Sequence, residues 1–208
     1  PAVAQRGPAV SGKIVVLDKG NKLAPDVGQA VVWLEAARAV PVTPMTARIV
    51  TSDKEFKPRV VVVTAGSTVN FPNSDPFDHN VFSLSQEGPF DLGLYGRRVA
   101  KSTTFKRPGI VRVYCNVHAQ MNAFVVVRDS PFYAQPGGDG TFSIGPVPPG
   151  DYTVRAWHER AVELPPQKVR VGASGLSGLE LQLDARGYKF VQHVNKFGQP
   201  YPTRGRRY

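Results

Sequence analysis

Nowhere in the 208-residue chain do apolar residues recur at i, i+3, i+4 and i+7 for more than two turns, and 20 glycines and 19 prolines punctuate it from end to end. Regular helices should therefore be few, because proline removes a helical donor and glycine gives up more backbone freedom than any other residue. What remains is a series of short β-rich runs bounded by turn residues, the pattern of an all-β chain. With 41% apolar residues the chain can bury a core, and its length suits one large or two small domains.

The runs fall into three groups. Val10 to Leu17 reads as a strand ended by the turn Asp18-Lys19-Gly20-Asn21, and Gln29 to Ala36 reads as a second. Ala37 to Thr46 carries two prolines and no period, the mark of a crossing between domains. Strands are then expected over 47–51, 56–63, 67–71, 80–82, 102–105, 109–115 and 123–127, a density that suits a Greek-key sandwich. After Ser130 the expected strands are 141–144, 151–158, 167–171 and 179–183. Residues 1–38 and 131–185 look like halves of one discontinuous domain, since neither would cover a sheet face alone, with a separate segment at 46–130 between them. Residues 186–208 are aromatic and basic without a period and read as an extended arm.

Charge narrows the partners only partly. Lys and Arg number 26 against 16 Asp and Glu, a net +10 that favours acidic protein surfaces, anionic lipid headgroups or nucleic acid. The basic residues are interleaved with acids except near Arg97-Arg98 and at Arg204, Arg206 and Arg207, which argues against nucleic acid. No run of eighteen apolar residues is present to span a membrane. The opening Pro1-Ala2-Val3-Ala4-Gln5 resembles the remainder of a processed export signal, so an exported location is expected. One cysteine cannot build a disulfide framework.

That cysteine lies in Tyr114-Cys115-Asn116-Val117-His118-Ala119-Gln120-Met121, a Cys-x2-His-x2-Met loop directly after an expected strand. A thiolate, an imidazole and a thioether lie within seven residues. Copper cycling between Cu(I) and Cu(II) favours two imidazoles and one thiolate in a plane with a weak axial thioether, since soft sulfur suits Cu(I) and imidazole accepts either state. His79, in Asp78-His79-Asn80-Val81, offers the second imidazole from a separate strand. Asn80 is expected to hydrogen-bond across to the cysteine loop and the Asn116 N–H to donate to the Cys115 sulfur. Other residues read more plainly: His158 as a surface or capping histidine, His193 as a contact or solvated residue in the arm, Met45 as a gap filler. A nucleophilic enzyme would need Cys115 and His118 as thiol and base and leaves Met121 without a role. The two remaining histidines cannot supply a three-imidazole copper centre, which argues against an oxidase or nitrite reductase acting alone.

Residues 47–128 resemble the cupredoxin family, and the compact Cys115-x2-His118-x2-Met121 spacing is similar to that of amicyanins and pseudoazurins. The resemblance implies one type 1 copper held by His79, Cys115, His118 and Met121, electron transfer rather than catalysis, a redox protein docking near His118, and an exported or periplasmic location. Arg97, Arg98 and Lys101 are candidates for steering that partner. The stretches Val10 to Lys13, Gly28 to Leu34, Asp139 to Ile144 and Val147 to Val154 resemble the carboxypeptidase regulatory-like, transthyretin-like β-sandwich family. Two other functions stay open. One is an interaction subunit fastened by the 186–208 arm to a membrane-bound assembly or anionic lipid, with a dispensable copper site and an arm whose removal leaves any copper spectrum intact. The other is copper delivery or storage.

Overall fold

A computed structural model describes residues 7–201. Its strands in chain order are β1 (Val10–Asp18), β2 (Lys22–Leu23) and β3 (Val31–Ala36); then β4 (Thr46–Arg48), β5 (Val50–Ser52), β6 (Glu55–Lys57), β7 (Val60–Thr64), β8 (Ser67–Pro72), β9 (His79–Ser83), β10 (Phe90–Tyr95), β11 (Ala100–Phe105), β12 (Gly109–Cys115) and β13 (Asn122–Arg128); and finally β14 (Tyr133–Ala134), β15 (Thr141–Ile144), β16 (Gly150–Trp157), β17 (Gln167–Val171) and β18 (Leu176–Asp184). Short 3-10 turns at Lys19–Asn21 and Val27–Gln29 are the helical elements among these residues, and no helix is long and apolar enough to cross a membrane. The all-β expectation holds.

The chain divides into two compact units, one of residues 1–42 and 129–189 and the other of 43–128 and 190–208. In the first, β1 lies between β15 and β18, and β3 lies between β14 and β16 with β17 outside it. Each sheet mixes strands from before residue 42 and after residue 129, so neither segment has a closed core by itself. The side chains between the sheets include Ile14, Val32, Leu34, Phe142, Val154, Leu181 and Leu183. Where β1 and β18 run parallel their register shifts at Gly12, and a Cβ there would lie 1.9 Å from the Leu179 carbonyl oxygen, so only glycine permits the approach.

The second unit packs a five-stranded sheet, β10-β9-β12-β13-β7, against a three-stranded one, β11-β8-β4, beside the β5-β6 hairpin. Val60–Thr64 is buried along its whole length, which matches its nearly unbroken valine run and its parallel pairing with β13. Strand β8 instead alternates, with Ser67, Val69 and Phe71 inward. Two expected strands are each split in the structure: 47–51 becomes β4 and β5, and 56–63 is broken where Pro58 cannot donate to a ladder. Strands β2, β10 and β14 lie outside the expected runs.

Two single-residue readings are corrected by burial. His158 is 1% exposed, lying in the first unit with its Nε2 3.7 Å from Asp26 Oδ2 and its Nδ1 accepting the Arg160 N–H at 3.3 Å. It is an interior residue of a charged turn. Met45 fills no gap: its side chain is exposed, and its backbone N–H and carbonyl serve Ser67 and Thr68. Arg204, Arg206, Arg207 and the opening Pro1 to Gln5 lie outside the described residues.

Candidate metal centre

The site forms where β9 begins and β12 ends, on adjacent strands. Tyr114 and Cys115 pair with Phe82 and Val81, which sets Cys115 close to His79 although 36 residues separate them. The loop from Cys115 to Met121 turns back into β13 through two backbone bonds, Met121 N–H to the His118 carbonyl at 3.1 Å and Cys115 N–H to the Met121 carbonyl at 3.3 Å. This turn returns His118 to the sulfur.

His79 Nδ1 lies 3.6 Å and His118 Nδ1 3.8 Å from Cys115 Sγ, and the three donor atoms all lie within 4.8 Å of one another. An ion with bonds of about 2.0–2.3 Å to nitrogen and sulfur spans such separations. Met121 is 1% exposed and belongs to the same buried cluster as Cys115, with Tyr95 and Phe71. The structure thus brings His79, Cys115 and His118 together as donors and buries Met121 in the return of their loop.

A carboxylate fixes the tautomer of His79. Asp75 Oδ2 is 2.9 Å from His79 Nε2, and Asp75 also accepts the Asp53 and Lys54 backbone N–H groups at 2.7 and 3.1 Å. Burial works to raise the Asp75 pKa, but these N–H donors and His79 together hold it below the usual carboxylate range. An ionised carboxylate can only accept, so Nε2 carries the proton and Nδ1 presents its lone pair toward the sulfur. Burial lowers the pKa of His79 against the opposing pull of Asp75, and burial with the neighbouring His79 lowers that of His118. Both imidazoles are therefore neutral donors at neutral pH. Burial raises the Cys115 thiol pKa, while the backbone N–H groups of Asn80, His118 and Val117 partly offset this, the Val117 nitrogen lying 3.4 Å from the sulfur. To serve as a donor to a cation the Cys115 sulfur would have to give up its proton.

The loop before His79 owes its shape to Asn73. Its side-chain oxygen accepts the Asp75 N–H at 2.9 Å, and its amide donates to the Phe77 and Tyr95 carbonyls at 2.9 and 3.2 Å. Phe77 is thereby set beside both imidazoles, its ring centre 5.3 Å from that of His79 and 5.4 Å from that of His118. Sequence reasoning missed the roles of Asp75 and Phe77, since a turn rich in Pro, Asn, Ser and Asp has no period from which to read side-chain direction.

The expected asparagine contacts are partly redrawn. Asn80 does bond across to the loop, through its carbonyl, which accepts the Asn116 N–H at 3.0 Å; that N–H is therefore not the donor to sulfur. The Asn80 amide goes instead to Asp91 at 2.6 Å. Lys101 directs its ammonium to the Leu92 carbonyl at 2.6 Å, whereas Arg97 and Arg98 are exposed. The arm is not separate from this site: His193 stacks on Tyr114 and the Tyr201 hydroxyl donates to the Cys115 carbonyl.

No protein-family model matches the chain, and no curated protein sequence matches it. Solved structures are similar to it over about half of its length. A copper-containing nitrite reductase from Thermus scotoductus SA-01 is 26% identical over 44% of this chain and 24% of that chain, with a TM-score of 0.37. A reduced amicyanin variant is 20% identical over 46% of this chain and 98% of its own, at 0.38. A purple cupredoxin from Nitrosopumilus maritimus is 18% identical over 56% and 99%, at 0.34.

Proposed function

We propose that this chain binds one copper ion through His79 Nδ1, Cys115 Sγ and His118 Nδ1, with the Met121 sulfur as a weak fourth donor, and carries single electrons. The observation that supports this reading most is the convergence of two neutral imidazole nitrogens on one buried thiol in a loop that ends in a buried methionine. Two imidazoles, one thiolate and one thioether match the preference of copper over zinc, which favours four strong donors. Bound there, copper supplies a one-electron couple. The protein contributes rigidity: His79 is held by Asp75 and Cys115 by strand pairing, so the donors keep one arrangement in either oxidation state.

His118 is the partly exposed donor, with Phe77 and Val117 each 37% exposed beside it, and this edge is where a redox partner docks. Catalysis by Cys115 is disfavoured because its thiol is fully buried and its pKa is raised, the reverse of an activated nucleophile. Burial of Cys115, His79 and Met121 likewise favours a resident ion over delivery or storage. The proposed location is exported or periplasmic, as the cupredoxin resemblance implies. The first unit is proposed to be a regulatory-like sandwich that carries the copper domain.

The test is the visible spectrum after Cu(II) addition. An intense red-region band, absent in Cys115→Ser, supports thiolate-to-copper charge transfer; tight binding without such a band overturns the type 1 reading. A second, compatible role is favoured by Phe190, Val191 and Phe197, which are 65%, 81% and 71% exposed. Through them the arm would attach the protein to a larger assembly or an anionic membrane surface. Phe190→Ser with Val191→Ser should then abolish co-sedimentation with the membrane fraction, and unchanged sedimentation sinks that role.

A further inference from the structure

The segment 190–201 aims its polar groups at the ligand loop rather than burying its apolar ones. Tyr201 Oη donates to the Cys115 carbonyl at 2.6 Å, the Lys196 N–H donates to Asn116 Oδ1 at 2.9 Å, and the Gln192 amide donates to the Ala119 carbonyl. The Lys196 ammonium meets Asp91 at 2.7 Å. His193 lies flat on Tyr114, ring centres 4.0 Å apart and planes 17° apart, and Tyr201 abuts His193 edge-on at 5.1 Å. The segment holds its own shape with a turn in which Asn195 Oδ1 accepts the Phe197 and Gln199 N–H groups.

The peptide unit between Cys115 and Asn116 is therefore gripped from two sides. Its N–H is held by the Asn80 carbonyl at 3.0 Å, next to His79, and its C=O is held by Tyr201. Holding that peptide plane at both ends restrains rotation about the Cys115 Cα–C bond and so limits where the side chain leaves the backbone. Fixing one backbone residue costs about 1–2 kcal/mol of conformational entropy, so a loop with few internal bonds stays converged only if something outside it supplies the restraint.

We infer that Tyr201 is a positioning residue for Cys115, and that residues 190–201 form a strap holding the Cys115–Met121 loop in its metal-ready shape before any ion arrives. The part concerning copper rests on the function proposed above; the part concerning the metal-free loop does not. The strap acts on the peptide carbonyl and side chains of the loop, leaving the donor atoms themselves free for the ion.

The experiment compares the full chain with Tyr201→Phe, which keeps the ring against His193 and deletes one donor, and with Gln199→Ala as a control at a solvent-facing strap position. Amide hydrogen exchange is measured without metal, followed by the charge-transfer band and the rate of copper release to a chelator after Cu(II) loading. Tyr201→Phe should raise exchange across residues 115–121 about three- to tenfold, the range for one lost hydrogen bond, while amides of β12 and β13 beyond the loop stay protected. It should also shift the band and speed copper release, with Gln199→Ala matching the parent. Unchanged loop exchange in Tyr201→Phe overturns the inference, and so does a rise spread over the whole domain, which would mark a general loss of stability. Faster loop exchange in a protein that binds no copper upholds the strap and sinks the copper reading. A parent-like loop with an intact copper band does the reverse.

Discussion

Each compact unit buries one histidine against an aspartate, and the two pairs part company at a single nitrogen. In the second unit His79 Nε2 lies 2.9 Å from Asp75, and Nδ1 faces the Cys115 sulfur at 3.6 Å. In the first, His158 Nε2 lies 3.7 Å from Asp26, and Nδ1 accepts the Arg160 N–H at 3.3 Å. Arg160 also claims the carboxylates, with Nη2 2.6 Å from Asp26 and Nη1 2.6 Å from Asp18. A buried histidine beside a carboxylate can thus serve as a ligand only where its second nitrogen is left to converge with other donors. At Asp75 the balancing groups include the backbone N–H donors of Asp53 and Lys54, whereas at Asp26 the partner is a guanidinium.

The comparison breaks most completely at the sulfur. Cys115→Ser should abolish the red-region band outright, whereas His158→Gln should leave it untouched in intensity and position; a loss of the band in His158→Gln would mean the first unit has a part in the site. The aspartates come next. Asp75→Asn keeps the shape but removes the charge that fixes the His79 tautomer, and copper affinity should fall about 10–100-fold, as is usual for an outer partner of a ligating histidine. Asp26→Asn should leave affinity unchanged, measured by competition with a chromophoric chelator. Equal affinities in the two variants would show that the carboxylate at His79 is structural only.

The grouping of His79, Cys115 and His118 was legible because Cys115 and His118 share a loop and His79 stands at the edge of an expected strand. Asp75, Phe77 and Tyr201 were not, because their directions are set by an Asn73-centred turn and by a chain segment 86 residues beyond Cys115. The strand β10 was hidden for a different reason. Its sequence Phe90-Asp91-Leu92-Gly93-Leu94-Tyr95 carries a glycine within the apolar run, and the structure breaks register between Asp91 and Leu94, with Gly93 at φ +67°. His158 misled because a strand end next to Glu159 and Arg160 reads as surface, yet Arg160 folds over it to reach two aspartates from the far end of the sequence.

The smallest effect sharpens the first unit's side of the comparison. Arg160→Ala leaves Asp26 and Asp18 without their guanidinium and should cost about 1–3 kcal/mol in urea unfolding, with the copper spectrum of the native protein unchanged. The hydrogen bond to Arg160 is the main cause lowering the Asp18 pKa; at Asp26 burial works upward, and Arg160 with His158 carries the value below the usual range. Folded values below the unfolded one, about 3.9, mean that this contribution is complete above that pH and is lost as pH falls through the folded values. The gap between the parent and Arg160→Ala should therefore be full at pH 7 and narrow at pH 3, because acid removes from the parent what the substitution has already removed from the variant. A gap that stays constant over that range would assign the loss to the packing of the Arg160 stem instead of to its charge, and the two histidine sites would then differ in geometry alone.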